Sequence, residues 1–496
     1  MFEPPPEGSR LIVLATNVAE TSLTIPGIRY VFDCGRAKER HYDRTTGVQS
    51  FEIGWTSKAS AKQRAGRAGR TESGHCYRLY SSAVYERDFE EYAEPEILRM
   101  PIEGVVLQLK SMDLQHVINF PFPTPPDRES LAKAEKLLMY HGALSPDGTI
   151  TQAGRQLALY PLSPRFSRML FIGQNHGSRD NVIAYTIALV AALAVPDLII
   201  PENQVSAADG AADREDFEGT QPERESDNRG KQHMRAQNTL SRWDRTSDAL
   251  KLLTAVCAYA WASDPTNFCK TTFLRAKALK EATQLRSQLT SLVRANKPGS
   301  IGPYNAKLPE PSKASLALLK QITAAGFIDQ VAQRADLAPT PSDATSRKPR
   351  RAVDMPYITL FASHARRDDD PFVYLHPSSV LADAKPAAAP QFVVYSHLQR
   401  SAASATAKVR MHALTPVSGS QLTALANGTP LLEWGKPVGR VTQLERKGGV
   451  ERRQCVVVPS LVGEKGGLGW PLPAREVVQR REEGRGWVFE AFVSKT

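Results

Sequence analysis

Cysteine is scarce in this 496-residue chain. The five present (Cys34, Cys76, Cys257, Cys269, Cys455) are scattered, with no CxxC pair and no His/Cys cluster. That pattern argues against a disulfide framework and a zinc site, and points to reduced thiols in an intracellular protein. Long hydrophobic runs are also missing. The most apolar stretch, Val182 to Val195, is interrupted by Thr186 and stopped by Pro196, so it is too short for a bilayer and reads as a buried helix. The opening residues Met1-Phe2-Glu3-Pro4-Pro5-Pro6 are neither basic nor apolar, and no secretory signal is read there. Nowhere is there a GxxxxGK[ST] loop, so no segment of this sequence can cradle the β and γ phosphates of a nucleotide by itself.

What the sequence does have is positive charge and length. Lys and Arg total 63 against 52 Asp and Glu, a net charge of +11 that favours a polyanionic partner. The length suffices for several domains, and a 41% hydrophobic fraction is that of a soluble globular protein.

The chain is organised around Leu11 to Arg70. The apolar run Leu11 to Leu14 followed by Ala15-Thr16-Asn17-Val18-Ala19-Glu20-Thr21-Ser22-Leu23-Thr24 reads as a buried parallel strand ending in a polar loop, the place where open α/β sheets bind ligands. The stretch closes on Gln63-Arg64-Ala65-Gly66-Arg67-Ala68-Gly69-Arg70. If Ala59 to Ala68 is helical, Gln63, Arg67 and Arg70 share one face, and Gly66 and Gly69 leave the neighbouring backbone bare for close approach. Two guanidiniums converging on one point suit a clamp on a transferring phosphoryl group. A solvated basic helix, or an Arg/Gly-rich patch for RNA, fits the same spacing. For the hydroxyl and amide side chains of the first loop, capping of the loop itself is the alternative to ligand contact.

The pair ATNVAETSLTIPG and QRAGRAGR resembles motifs V and VI of the DEAH-box RNA helicases, superfamily 2 enzymes built on two RecA-like domains. The resemblance implies catalytic roles for Gln63, Arg67 and Arg70, nucleotide contacts from Phe2, Thr24 and Gly66, and RNA contacts from Asn17, Thr21, Arg40 and Lys58. Phe2 would stack on adenine. Neither a DEAH nor a DExD tetrad accompanies these motifs, and the start reads as cut. Half of an ATPase site is therefore expected, with ATP and Mg²⁺ bound only when an N-terminal RecA-like domain is added. Pro26 stands where most members carry Asp, which removes a ribose contact and points to relaxed sugar or base selectivity.

The expected fold class is multidomain, α/β plus α plus β. Residues 1–93 form part of the second RecA-like domain, with a β-hairpin from Tyr30 to Trp55 whose arms are Tyr30–Phe32 and Val48–Ile53 and whose tip carries Lys38, Arg40, His41, Tyr42 and Arg44. By resemblance this hairpin presses against the RNA strand. Residues 94–161 resemble the winged-helix domain, with Ile102, Val105, Val106 and Leu109 on one apolar face and a turn at Ser145-Pro146-Asp147-Gly148. Residues 162–300 resemble the ratchet-like domain, with stripes Leu250, Leu253, Cys257, Trp261 and Leu274, Ala278, Leu285, Leu289, and with Arg275, Lys277, Lys280 and Arg286 beside the second stripe. Its segment 201–237 is dense in charge and reads as a disordered acidic insertion. Residues 311–434, through the strings VYLHPSSVL and FVVYSHL, resemble the OB-fold domain, with an inserted loop 339–351; residues 435–496 are a strand-rich extension.

The functional expectation is an RNA-stimulated ATPase that remodels single-stranded RNA or RNA–protein complexes. The string FPFPTPPD is closest to the subgroup of small-subunit ribosome biogenesis, which implies pre-ribosomal or small nucleolar RNA, protein activators or assembly factors of the pre-ribosome, and a nuclear, nucleolar location, with no membrane partner. The alternatives are a catalytically silent RNA-binding module and a helicase of pre-mRNA splicing.

Overall fold

The computed structural model describes residues 8–21, 25–42, 48–69, 73–176, 181–201, 222–338, 349–361, 372–399, 408–447, 450–463, 469–484 and 486–493, and only the backbone of 38–42, 48–52, 222–229 and 445–447. These residues divide into two compact units. The described part of the first lies within Met1–Pro101 and Pro121–Asp127, and the second holds the rest.

In the first unit, Tyr30–Asp33 and His75–Arg78 pair in parallel, Tyr30 opposite His75 and Asp33 opposite Arg78. The hairpin is built from other residues than expected. Arg36–Tyr42 runs antiparallel to Val48–Trp55, Arg36 opposite Trp55, while Tyr30–Phe32 belongs to the parallel pair. Gly35 makes this switch possible. Its φ of +69° is strained for any side chain, and a Cβ there would lie 2.7 Å from the Tyr80 ring and 2.8 Å from Phe89. Behind it Trp55, Tyr80, Tyr85 and Phe89 form an aromatic cluster, with the Arg36 guanidinium 3.3 Å from the Trp55 ring centre. The strand expected at Leu11–Leu14 is not formed. Among the described residues none pairs with it, and Ile12 and Leu14 are 83% and 97% exposed. A strand holds only through a neighbour's hydrogen bonds, so apolar content alone could not create it.

In the second unit, the helices Glu103–Ser111, Arg128–Tyr140 and Gln152–Leu157 bracket the turn at Ser145, where Leu144 bridges Ile150 across Asp147. Ile102, Val106 and Leu109 are buried as expected, but Val105 is exposed, because it falls on the flank of the helix that the core does not reach. The apolar helix Val182–Ala194 is buried on nearly every side among Pro164–Asn175, Asp248–Trp261, Ala276–Asn296 and Lys313–Gly326. Each fully buried Leu or Ile there, such as Ile187, Leu189, Leu250 and Leu253, contributes about 2 kcal/mol through lost water contact. Trp261 closes its stripe outside the core, donating its indole N–H to the Leu308 carbonyl. The expected disorder of 201–237 does not extend across its second half: Pro222–Leu240 is a helix, and its end packs Ala236 and Leu240 into the interior. Residues 202–221 lie outside the described residues.

Arg286 is not a free cation on the helix Ala276–Asn296. It is buried, and its guanidinium donates to the carbonyls of Asn305 and Ala306 at 3.3 Å, holding the following loop.

The strands Val331–Arg334, Tyr357–Thr359, Val373–Leu375, Phe392–Gln399 and Val409–Val417 match the OB-like pattern. Phe392–Gln399 pairs with Val331–Arg334, which pairs with Tyr357–Thr359, then Val373–Leu375, then Val409–Val417, and this last strand pairs back on Phe392–Gln399 to close a ring. Beyond it Leu432–Lys447, Val450–Leu461, Arg475–Glu482 and Gly486–Phe492 form an antiparallel meander, pinned by Trp434 and Phe489 stacked at 4.7 Å.

Three parts of the second unit meet at one buried ionic node. Arg165 grips the Asp329 carboxylate with both Nη atoms. His141 Nε2 stands 3.5 Å from the same carboxylate, and Arg168 donates to the Tyr140 carbonyl at 2.9 Å and the Leu425 carbonyl at 3.2 Å. Arg168 also approaches His141 Nδ1 at 3.4 Å; a guanidinium has no acceptor, so Nδ1 accepts and the ring proton sits on Nε2, facing Asp329.

Candidate functional site

The QRAGRAGR segment begins on the helix Lys58–Ala65. Ser57 caps it by accepting from the Ser60 N–H at 3.1 Å. The regular helix stops at Ala65, earlier than expected, and continues as tight turns in which Gly66, Arg67 and Ala68 donate to the carbonyls of Lys62, Arg64 and Ala65. Gln63 is exposed and Arg67 half-buried, one turn apart on the same side. Arg70, Phe2 and Thr24 lie outside the described residues, as does the side chain of Arg40.

Gly66 is exposed with φ −65°, and among the described residues a Cβ there would meet only the Gln63 and Lys62 carbonyls at 3.4 and 3.5 Å. At Gly69 a Cβ would meet nothing within 4 Å among the described residues. Packing among the described residues therefore demands neither glycine. Gly74 is the contrast: a Cβ on it would run into the Ala68 carbonyl and lie 2.6 Å from the Arg29 carbonyl, directly beneath this turn. Gly74→Ala is expected to lower the thermal midpoint of the first unit by several degrees, whereas Gly66→Ala should leave it unchanged or slightly raised, since Ala is the better helix former. Thermal unfolding of the two variants side by side checks this; equal losses would show that Gly66 is also held by packing.

Arg64, which the sequence reading passed over, is the best-connected side chain of the segment. Its Nε donates to Glu20 Oε2 at 2.9 Å, Nη1 to Asp33 Oδ1 at 3.0 Å and the Arg36 carbonyl at 3.2 Å, and Nη2 to Thr56 Oγ1 at 3.2 Å. Asp33 is buried and also accepts from the Gly35 N–H at 2.9 Å and the Tyr80 hydroxyl at 3.1 Å. Burial, and then the adjacent Asp33 carboxylate, push the Tyr80 phenol well above its ordinary value, which keeps it a donor. The helical wheel held the signal: Arg64 follows Gln63 by one residue and so points about 100° away, into its own unit.

The turn Val18–Thr21 carries the other expected contacts. Asn17 and Thr21 are exposed, and the Asn17 carbonyl accepts from the Glu20 N–H at 3.0 Å. Lys58 is held differently: its ammonium pairs with Glu86 Oε2 at 3.1 Å and lies 5.6 Å from the Tyr85 ring centre, so within this unit its charge is already shared.

Family models match residues 1–72 as a helicase conserved C-terminal domain, 134–162 as the winged-helix part and 163–252 as the ratchet-like part of the helicase associated domain, and 319–428 as an oligonucleotide/oligosaccharide-binding fold. The chain is 41% identical over 520 residues to "Probable ATP-dependent RNA helicase DHR1" of Saccharomyces cerevisiae, a match covering 100% of this chain and 40% of that protein. The chain belongs to the DEAH-box RNA helicases. A human member, "Probable ATP-dependent RNA helicase DHX37", is 39% identical across 96% of the chain and 39% of its own length. The Arabidopsis thaliana member "ATP-dependent RNA helicase DEAH13" is 34% identical across 99% of the chain and 38% of its own length. The chain thus spans about two fifths of the DEAH-box relatives it matches. Among its described residues no group of three or more His, Cys, Asp or Glu stands ready for a metal ion.

Proposed function

We propose that this chain supplies one wall of the ATP site and an RNA-facing loop of an ATP-dependent RNA helicase. The observation that carries this is the end of the helix Lys58–Ala65, where Gln63 and Arg67 emerge beside two glycines whose surroundings are open. Packing among the described residues gives no reason for bare backbone there, and the approach of a phosphate group does. ATP with Mg²⁺ would supply the transferable phosphoryl group. Arg67 and Arg70 would stabilise the charge that develops on it, Gln63 would help place the attacking water, Gly66 would admit the nucleotide closely, Phe2 would stack on its base and Thr24 would contact the nucleotide. The Mg²⁺ ligands and the phosphate loop belong, on this reading, to a first RecA-like domain.

Asn17 and Thr21, with Arg40 of the hairpin and Lys58, are assigned to RNA phosphates. Backbone contacts of this kind carry little sequence information, so partners would choose the substrate. The chain's basic balance and its FPFPTPPD string favour pre-ribosomal RNA in the nucleolus over a splicing role. Joining the first RecA-like domain to this chain tests the reading. The joined protein should hydrolyse ATP and turn over faster with added single-stranded RNA, while the chain alone should not. A joined, folded protein that binds RNA without any turnover would instead make this a silent RNA-binding module.

A further inference from the structure

One ion pair ties the loop that faces RNA to the helix that faces ATP. Glu20 lies in the turn Val18–Thr21, between the two residues assigned to RNA, with its N–H on the Asn17 carbonyl and Thr21 next in the chain. Its carboxylate holds Arg64 Nε at 2.9 Å, and both side chains are nearly enclosed, at 11% and 13% exposure. Arg64 is one residue from Gln63 and three from Arg67, whose N–H donates to the Arg64 carbonyl at 3.1 Å. The remaining Arg64 nitrogens are fixed on Asp33, the Arg36 carbonyl and Thr56, which belong to the body of the unit. The guanidinium therefore bridges the loop, the sheet and the helix through separate atoms. Shielded from water, such a charge-assisted bond resists displacement.

We infer that Glu20 and Arg64 are positioning residues that carry RNA occupancy of the Asn17–Thr21 turn to the placement of Gln63 and Arg67, so that RNA raises the ATP turnover rate through this pair. The inference rests on the function proposed above. A strand seated on Asn17 and Thr21 fixes the turn between them, and Glu20 can then fix Arg64 and the turn that follows it. Glu20 touches neither reacting phosphate nor base in this scheme, and a change there leaves Arg64 held by Asp33 and Thr56.

The test uses the joined, ATP-hydrolysing protein with Glu20→Ala, the near-isosteric Glu20→Gln and, separately, Arg67→Ala, measured against increasing poly(U). Expected for Glu20→Ala is basal turnover within about twofold of the parent, poly(U) affinity within about twofold, and a stimulated kcat at saturating poly(U) reduced about tenfold. Glu20→Gln keeps an acceptor for Arg64 Nε and should recover part of that loss. Full stimulation of Glu20→Ala at saturating RNA would overturn the inference. So would equal losses in basal and stimulated turnover, which a merely structural role produces, or a rise in the RNA concentration needed with kcat preserved, which a binding role produces. Arg67→Ala separates the two levels: if it hydrolyses ATP normally, the arginine assignment fails whatever Glu20 does.

Discussion

Replacing Arg67 with Ala in the joined enzyme is expected to slow ATP hydrolysis by about 10³-fold or more, the scale on which a guanidinium at the γ-phosphate acts. RNA binding should survive, because Asn17 and Thr21 lie on a different turn. Arg67→Lys should recover little: an ammonium keeps the charge but lacks the planar fork that grips two phosphate oxygens at once. The chain should also remain folded, since Arg67 is only half-buried and the core of its unit is the aromatic cluster around Trp55 and Phe89. Steady-state hydrolysis with and without RNA, alongside a binding titration, checks each part. Undiminished turnover in Arg67→Ala would remove this residue from the site.

The second large effect concerns stability. Asp329→Ala should cost about 3–5 kcal/mol, because it takes from Arg165 the carboxylate it grips and leaves Arg168 enclosed without its counter-charge. Burial, even against the pull of Asp329, pushes Arg168 down to about 10, so the node has little tolerance for another uncompensated cation. Two buried histidines of this unit, His141 at the node and His412 apart from it, predict acid sensitivity. Burial pushes His141 down to about 3, against the pull of Asp329, and burial followed by the neighbouring imidazoles of His397 and His376 pushes His412 down to about 2. His412 is stacked between those two rings, 4.2 Å from each. An unfolded histidine takes its proton near pH 6.5, whereas these two stay neutral in the folded chain until far lower pH. Protons thus bind the unfolded state first, and each histidine removes about 1.4 kcal/mol of stability per pH unit below about 6.5. Arg165 holds the Asp329 carboxyl below its ordinary value despite burial, so its contribution is present above the usual carboxylate range and is lost only as pH falls through its lowered value. Urea unfolding of the chain at pH 7 and pH 5 should show a clear drop in midpoint; coincident curves would mean that neither ring is excluded from protonation.

The sequence disclosed the second unit well and the first unevenly. Helical stripes such as Leu250, Leu253 and Cys257, and β-prone runs such as Val373–Leu375, carry local periodicity that tertiary contacts reinforce, so they fell where expected. Tyr30–Phe32 had the composition of a hairpin arm, but pairing partners are a property of the whole chain, and the positive φ of Gly35 redirected the strand. The acidic segment misled because charge density was read as disorder, while Ala236 and Leu240 at the end of Pro222–Leu240 had apolar neighbours to bury against. At the candidate site, Gln63, Arg67 and the glycines were legible from spacing. Arg64 was not singled out, since a motif read as a single basic face gives no weight to the arginine that turns inward.

The small parallel sheet has a practical corollary. Tyr30, Phe32, Tyr77 and Leu79 are between 49% and 69% exposed, and Ile12 and Leu14 more so. Tyr30–Asp33 and His75–Arg78 pair only with each other among the described residues. A sticky surface beside strands with unused backbone bonds invites another copy to add itself, so this polypeptide purified by itself should be a poor solution sample, prone to clumping on concentration.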